Sequence, residues 1–432
     1  MTHLYPLVPL EAIKAPSRYS MVGGPFGSKL VSRDYRPDGV PVIRGGNLAS
    51  EGRFSCEDFV FVTEEKVTAD LFGNLAFPGD IVVTQRGTLG QVGLIPNSSP
   101  YRRFVVSQSQ MKLTVDASKA DPLFVYYGLK SPIGQHEIQS RAITAGVPHI
   151  NLSLFQQLRL PLPQLTAQRK IAAILSAYDD LIEINNRRIK ILEEMAQRIY
   201  HEWFVDFRYP GHEDVPVVDS ELGRIPKSWP VVPLSDVTST QYGYTESATD
   251  EPVGPRFLRG KDINKTSYVD WATVPFCPID ALDRAKYRLA PGDVVIIRMA
   301  DPGKVGIVEA DIEAVFASYL IRIQPRDHAI TPYFLFYFLS SDRYQAFVSG
   351  ASTGTTRKSL SAPLITSAHL AVPPPATQAA FVDAVAPLRE HLNVLVGTNA
   401  TLRATRDLLL PRLISGDVDV TDLRISEPEL AA

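Results

Sequence analysis

The chain has 432 residues, 45% of them hydrophobic and 21% charged, which is typical of a globular protein and at this length requires more than one hydrophobic core. Its 44 Lys and Arg against 47 Asp and Glu exclude a strongly basic chain that would hold nucleic acid by charge alone. The longest apolar runs are interrupted well before membrane-spanning length, and the first residues lack the pattern of a secretory signal, so we expect a cytoplasmic protein with no membrane partner.

Residues 1–160 predict a strand-rich globular domain. The stretch PGDIVVTQRGTLGQVGLI at 78–95 holds a β-branched run after a Pro-Gly-Asp turn and a second run after a glycine-containing loop. Residues 111–115 predict a further strand. Residues 122–130 begin with proline, whose missing N–H is tolerated in a first turn, and they favour a helix. Strands and helices together predict an α+β domain.

Residues 161–209 predict a long helix. Glycine and proline are absent from Leu165 to Tyr209, so nothing interrupts this helix before Pro210. Its apolar positions recur at steps of three and four, the pattern of a helix that packs lengthwise against another helix. We call these positions the seam. On this helix they include Ile171, Ile174, Tyr178, Leu181, Asn185, Leu192, Met195 and Ile199.

The second half of the chain repeats the first. The stretch PGDVVIIRMADPGKVGIV at 291–308 aligns without a gap with residues 78–95, and PYFLFYFLSS at 332–341 matches PLFVYYGLKS at 122–131. The repeat predicts a linker at 210–230, a second globular domain at 231–372, a second long helix at 373–416 and a tail at 417–432. We expect the regular part of that helix to end at Pro411. Its seam includes Leu388, Leu392, Leu395, Asn399, Leu402 and Leu409.

The predicted fold class is α+β, with two strand-rich domains in pseudo-twofold tandem. Each domain is followed by a long helix, and the two helices pack as an antiparallel coiled coil. Asn185 and Asn399 interrupt the seams near their middle. Facing one another, they would fix the register of the helices; pointing sideways, they would only be hydrated, and the pattern leaves both possibilities open.

Motifs for catalysis are missing from the sequence. There is no phosphate-binding loop ending in Lys-Ser/Thr, no GxGxxG, no metal-binding histidine spacing, and the two cysteines lie far apart. Glu64-Glu65-Lys66 resembles a carboxylate–x–lysine pair of metal-dependent nucleases, but the second half lacks a counterpart and an exposed charged turn is the favoured interpretation. We therefore predict a binding protein with no metal site and no cofactor of its own.

The loops of the repeated scaffold predict where the binding occurs. Flanking strands are kept while the loop TQRGTLG at 84–90 differs from IRMADPG at 297–303, as expected of one scaffold that presents two different reading surfaces. Gln and Arg side chains can pair with adenine and guanine edges, and basic or glycine-bearing loops can contact phosphates. Local capping or pairing, or a plain surface loop, is the alternative at each position. The candidate DNA-binding residues are Arg44, Asn47, Gln85, Arg86, Thr88, Arg102, Arg103, Gln108, Gln110, His149, Arg259, Lys261, Arg298, Met299, Asp301, Lys304, Tyr319, Thr355, Arg357 and Lys358.

These features resemble the specificity subunit of a type I restriction-modification system. The resemblance is carried by IRGGNL, by PGDIVVTQRGTLGQVG, by GVPHINLSLFQQLRLPLP with the long helix that follows, and by LRATRDLLLPRLISGDV near the end of the chain. The sequence departs from the family pattern at Met299-Ala300-Asp301, where the family tends to show Arg-x-Gly-Thr. The resemblance implies that the globular domains are target recognition domains and the helices are spacers.

The resemblance also implies partners and a division of labour. The chain would bind double-stranded DNA at a bipartite site, two methyltransferase (modification) subunits, and restriction (translocase–nuclease) subunits. S-adenosylmethionine, ATP and Mg would bind to those partners and not to this chain. Because the two loops differ, we expect an asymmetric site. The alternatives are a coiled-coil adaptor that binds no nucleic acid, or a self-contained DNA-modifying enzyme.

Overall fold

The computed structural model describes residues 4–48, 52–351 and 359–424. The chain divides into two compact units, the first formed by Met1–Ile184 with Thr401–Ala432 and the second by Asn185–Ala400. Each of two long helices contributes one part to each unit. Among the described residues, no helix is both long and apolar enough to cross a membrane.

The first unit contains short strands and mostly short helices. Its strands are β1 (Leu7–Pro9), β2 (Met21–Gly23), β3 (Val40–Ile43), β4 (Val60–Val62), β5 (Leu75–Ala76), β6 (Ile81–Thr84), β7 (Val92–Leu94), β8 (Phe104–Val106), β9 (Gln110–Leu113) and β10 (Arg159–Pro161). Its helices are α1 (Leu10–Ile13), α2 (Gly45–Leu48), α3 (Glu64–Lys66), α4 (Pro122–Lys130), α5 (Pro132–Ser140), α6 (Leu152–Gln156) and the start of α7 (Leu165–Phe204). The strands and the proline-initiated helix that the sequence predicts are confirmed.

A four-stranded antiparallel sheet with the order β2-β9-β6-β7 forms the centre of the first unit. One face, with Ile81 and Val83, packs on the core that contains helix α4. The other face, with Val82, packs on a second sheet of order β4-β3-β8-β5. Burial on both faces explains why β6 is a continuous run of β-branched residues and does not alternate.

The second unit repeats the central four-stranded sheet, but its second sheet has two strands instead of four. Its strands are β11 (Val217–Ser220), β12 (Gly223–Pro226), β13 (Val231–Pro233), β14 (Thr238–Tyr242), β15 (Arg256–Leu258), β16 (Val294–Ile297), β17 (Val305–Ile307), β18 (Ala314–Phe316), β19 (Leu320–Pro325) and β20 (His369–Ala371). Its helices are α8 (Leu234–Val237), α9 (Ala281–Tyr287), α10 (Pro332–Ser340), α11 (Asp342–Ala351), α12 (Ala362–Ile365) and most of α13 (Pro375–Ser415), in addition to the end of α7. The predicted linker at 210–230 is wrong in part, because residues 217–226 form the antiparallel hairpin β11–β12.

The two central sheets share one topology and one buried ion pair. The second sheet has the order β14-β19-β16-β17, so each strand corresponds to one in the first sheet. In the first unit Lys112 Nζ lies 2.9 Å from Asp80 Oδ2; in the second Arg322 Nη1 lies 3.1 Å from Asp293 Oδ2. Both carboxylates also accept a backbone N–H three residues earlier in the chain. The Pro-Gly-Asp turn is therefore a structural device that closes the turn and ties it to the neighbouring strand.

The long helices are shorter than predicted, and one does not end where expected. Helix α7 spans Leu165–Phe204 instead of 161–209, and α13 spans Pro375–Ser415 instead of 373–416. Pro411 does not end α13, which continues for a further turn. Proline in a helix costs about 3 kcal/mol, but Leu413 and Ile414 beyond it are buried in the core of the first unit, and their burial offsets that cost.

Part of the predicted seam of α7 lies off the buried face. Leu181 and Met195 are 50% and 45% exposed, so their assignment to the seam is wrong. The helix buries Leu175, Ile182 and Ala196, each one residue after the predicted Ile174, Leu181 and Met195, because the steps of three and four alternate in the opposite order. The buried line instead runs through Ile171, Leu175, Ile182, Asn185, Ile189, Ala196 and Tyr200.

The two long helices pack antiparallel in both units. In the first unit, Ile171 and Leu175 share a core with Leu410 and Ile414. In the second, Ile189 of α7 and Leu392 of α13 lie in one cluster. Later residues of α7 thus meet earlier residues of α13, which confirms the predicted direction.

The seam asparagines face one another inside the second unit. Asn185 Nδ2 donates to Asn399 Oδ1 over 2.9 Å, and Asn399 Nδ2 donates to Asn186 Oδ1 over 2.8 Å. Asn185 and Asn399 are both buried. Of the two possibilities that the sequence leaves open, the structure has the one in which the asparagines pair.

Candidate nucleic-acid interface

Four loops of the first unit converge beyond the end of its central sheet. They are loop A (24–30), loop B (85–90), loop C (107–110) and loop D (143–149). Backbone hydrogen bonds join A to C through Gly24 N and Gln110 O (2.8 Å), B to C through Gln85 N and Ser109 O (2.8 Å), and B to D through Gly87 N and Pro148 O (3.1 Å). The sequence places these loops far apart, and the sheet order brings them together.

Two predicted reading residues use their side-chain amides to build this cluster. Gln85 Nε2 donates to the Gln108 carbonyl over 2.6 Å. Gln108 Nε2 in turn donates to the carbonyls of Gly27 and Leu30 over 2.7 and 3.0 Å. The amide donors of Gln85 and Gln108 are therefore engaged inside the protein, and they hold loop A in place.

The exposed side chains of the cluster are chemically mixed. Arg86 and Thr88 are exposed at the tip of loop B. Loop A adds Lys29 and Phe26, and the Phe26 side chain is 82% exposed. Sequence reasoning missed loop A, although an aromatic residue between glycines in GGPFGSKL is an available signal.

Two candidates of the first unit are buried, and their assignment as DNA contacts is wrong. Asn47 is 3% exposed; its Oδ1 accepts from Arg44 N, and its Nδ2 donates to the carbonyls of Ser55 and Glu57. Gln110 is 1% exposed and accepts from the Ser107 hydroxyl. Buried amides must satisfy their hydrogen bonds internally, so both residues hold the loops in place from inside the protein.

The remaining candidates of the first unit lie at the surface with local partners. Arg44 Nη2 donates to the Asp58 carbonyl over 2.9 Å. Arg103 pairs with Glu64, which supports the interpretation of residues 64–66 as a charged turn, and Arg102 is exposed. His149 lies in loop D with Nδ1 3.1 Å from the Val147 carbonyl oxygen.

The second unit has a corresponding cluster with different chemistry. Arg298 lies over the ring of Tyr242, with its guanidinium carbon 4.9 Å from the ring centroid, and its backbone N–H donates to the Tyr319 carbonyl. Such a cation–π contact holds a guanidinium in place without neutralising its charge. Tyr319 is 54% exposed, and Met299 pairs by a β-bridge with Ser359. The surface of this cluster is thus aromatic and hydroxyl-bearing.

Other candidates of the second unit surround this cluster or pair locally. The guanidinium of Arg259 is bidentate on Asp262, at 3.0 and 2.9 Å. Lys261, Asp301 and Lys304 are exposed. Thr355, Arg357 and Lys358 lie outside the described residues.

Both clusters offer binding groups. Within the part of the chain that the structure describes, no group of three or more His, Cys, Asp or Glu residues could hold a metal ion. Burial raises the pKa of the Cys277 thiol to about 11 and also raises the pKa of Cys56. What the exposed loops supply is hydrogen-bond donors, aromatic rings and cations, the groups that contact base edges and phosphates.

Known proteins share this arrangement. A family model for the type I restriction modification DNA specificity domain matches residues 27–194 and again 226–400. The MjaVIII specificity subunit of Methanocaldococcus jannaschii is 25% identical over 332 residues, covering 74% of this chain and 76% of its own length. The EcoBI specificity subunit of Escherichia coli is 25% identical over 361 residues, covering 81% and 73%. The crystal structure of a type I restriction-modification S subunit from M. genitalium matches 96% of both chains with a TM-score of 0.56 at 17% identity, which shows a shared fold.

Proposed function

Since the chain belongs to the type I restriction modification DNA specificity family, we propose that it reads an asymmetric bipartite DNA site, one half-site with each unit. The observation that carries this proposal is the contrast between scaffold and loops. The two central sheets share one strand order, while one loop cluster presents Arg86, Thr88 and Phe26 and the other Arg298, Met299 and Tyr319. Two sheets of the same strand order that carry different loops suit two different half-sites.

The chain acts without catalysis of its own in this proposal. It brings two methyltransferase subunits and the restriction subunits to the DNA site in the cytoplasm. The methyltransferase subunits methylate adenine with S-adenosylmethionine, and the restriction subunits use ATP and Mg. Because the chain carries a net charge of −3, the partners contribute much of the phosphate neutralisation that DNA binding requires.

The long helices would set the gap between the half-sites. Helix α7 has 40 residues and α13 has 41, so each is about 60 Å long at 1.5 Å per residue. Major grooves on one face of B-DNA recur at about 34–36 Å, so a helix of this length corresponds to one to two turns of the DNA duplex. Removing about one turn from each helix should change the gap and keep both half-site sequences. Changed half-sites at the old gap would contradict this role.

The decisive experiment maps methylation in a host that lacks its own adenine methylation. The chain is expressed with its modification subunits, and every methylated site in the genome is sequenced. We expect one motif of two different half-sites separated by a fixed gap. Methylation with no shared motif, or at a single continuous motif, would refute the proposal.

Arg86 tests which unit reads which half-site. If it reads a base, Arg86→Ala should relax one position of one half-site and cost about 1–3 kcal/mol of binding free energy. The other half-site is the internal control, because the second unit is unchanged. A uniform loss of affinity across all sequences would instead make Arg86 a phosphate contact.

A further inference from the structure

Loop A is held rigidly at both ends. A Cβ atom on Gly24 would lie 2.0 Å from the Ser107 carbonyl oxygen. The backbones of loops A and C are therefore in direct contact and leave no room for a side chain at this position. Pro25 is buried, and at the other end Leu30 is 3% exposed in the core beneath the second sheet. In addition, the side-chain amide of Gln108 donates hydrogen bonds to the carbonyls of Gly27 and Leu30.

This rigid loop presents an aromatic side chain to solvent. Phe26 is 82% exposed, and Gly27 beside it has φ of 63° with open space around it. Burying such a side chain against a partner would strengthen binding by roughly 10- to 150-fold, and a loop fixed in advance loses little entropy when it binds. Lys29, on the same loop, supplies a cation beside the ring.

We propose that Phe26 is a specificity-determining residue that packs against the C5 methyl group of a thymine in the major groove of the half-site read by the first unit. The inference rests on the proposed function. Polar side chains on loop B, Arg86 and Thr88, can bond to base edges, and an apolar ring contacts the thymine methyl, which is the one apolar feature of a major-groove edge. Lys29 then contacts the adjacent phosphate.

The test replaces single thymines by uracil, which pairs identically but lacks the methyl group. Binding is measured for the full chain in complex with its modification subunits, on duplexes that carry the mapped site; the half-site of the first unit is assigned with Arg86→Ala. With the unaltered chain, uracil at one position of that half-site should weaken binding about fourfold, the equivalent of one buried methyl. Phe26→Ala should weaken binding about tenfold and abolish the difference between thymine and uracil.

Phe72→Ala is the matched control. Phe72 is 61% exposed in the same unit but packs edge-on against Tyr19 and belongs to none of loops A to D. This variant should keep both affinity and the preference for thymine. Because Phe26 is exposed, its replacement leaves the core intact, and an unchanged urea midpoint checks this.

Several outcomes overturn the inference. One is a Phe26→Ala complex that still prefers thymine; another is a half-site of the first unit with no thymine on either strand. A third is 2-aminopurine fluorescence in the duplex that rises on binding and depends on Phe26, because the ring would then be a wedge between bases. If the unaltered complex bound no duplex selectively, the proposed function itself would fail, which is a distinct result.

Discussion

A buried arginine on α13 offers the sharpest test of how a recognition domain is fastened to the long helices. The guanidinium of Arg389 donates to Glu309 Oε1 and Oε2 over 2.9 and 2.5 Å. It also donates to the hydroxyl and the carbonyl of Ser267 over 2.8 and 2.9 Å. The side chain of Arg389 is 1% exposed and that of Glu309 is 10% exposed. Burial by itself would lower the pKa of Arg389, but the pairing with Glu309 outweighs it and raises the pKa.

Arg389→Met keeps the length of the side chain and removes its charge and donors. Glu309 then stays buried without its counter-charge, although the Tyr333 hydroxyl still donates to its Oε1 over 3.1 Å, and the Ser267 carbonyl loses the Arg389 donor. Removing one member of a buried ion pair costs about 3–5 kcal/mol, so we expect the second unit to lose that much unfolding free energy. Arg389→Met with Glu309→Met should recover most of the loss, because no uncompensated charge stays buried.

Urea unfolding followed by tryptophan fluorescence measures the effect. The three tryptophans of the chain, Trp203, Trp229 and Trp271, all lie in the second unit, so the signal reports on this unit. Arg208→Met is the matched control. Arg208 makes an equivalent bidentate pair with Glu202, at 2.7 and 2.9 Å, but in the open at the surface. Exposed pairs contribute little, so this variant should leave the urea midpoint unchanged.

Either of two results would contradict the expected cost of burying an unpaired charge. Arg389→Met could shift the midpoint as little as Arg208→Met does. Alternatively, the double variant could be less stable than Arg389→Met alone, which would mean that the pair stabilises the unit beyond its own cost of burial.

Three further predictions follow from other contacts. Gly24→Ala should displace loop A and abolish selectivity at the half-site of the first unit, because its Cβ would meet the Ser107 carbonyl; Gly46→Ala, with no atom within 4 Å, should keep the methylation motif unchanged. Asn185→Leu alone should cost about 1–3 kcal/mol by leaving the buried Oδ1 of Asn399 without its donor, and Asn185→Leu with Asn399→Leu should be more stable in urea; a double variant no better than the single one would contradict this. Burial raises the pKa of several tyrosines above that of the unfolded chain, so the stability they contribute is full below about pH 10 and falls above it. Tyrosines at the surface of a folded protein ionise at about pH 10, but a second rise in tyrosinate absorbance at higher pH should coincide with the loss of helical circular dichroism. A second rise that precedes unfolding would be the contrary result; the buried residues that it reports include Tyr126, Tyr127, Tyr200, Tyr337 and Tyr344.

Local patterns in the sequence were sufficient for the elements and for the duplication. The β-branched run after Pro-Gly-Asp is strand β6 in one unit and β16 in the other, and proline-initiated helices follow in both. Such features depend on neighbours in the chain, namely turn chemistry, side-chain branching and helix period. The ordered repeat then predicted two similar domains and a partner for the first long helix.

The composition of the interface depended on tertiary structure. Asn47 and Gln110 have the residue types of DNA contacts, yet they are buried, and hydrogen bonds inside the protein to Ser55, Glu57 and Ser107 use their amides. Phe26 is exposed because Gly24 and Gln108 anchor its loop to segments about eighty residues further along the chain. No local pattern encodes those distances.

The seam shows the same boundary between sequence and structure. The steps of three and four established that α7 is a long helix with a partner, because apolar periodicity is a local property. Which side chains are buried depended on the path of both helices, and the buried line takes Ile182 and Ala196 where the sequence pattern chose Leu181 and Met195, one residue earlier in each case. The sequence by itself determined that two domains and two helices exist and that the asparagines interrupt both seams; only packing decided that Asn185 and Asn399 meet, because their contact requires two helices in one register.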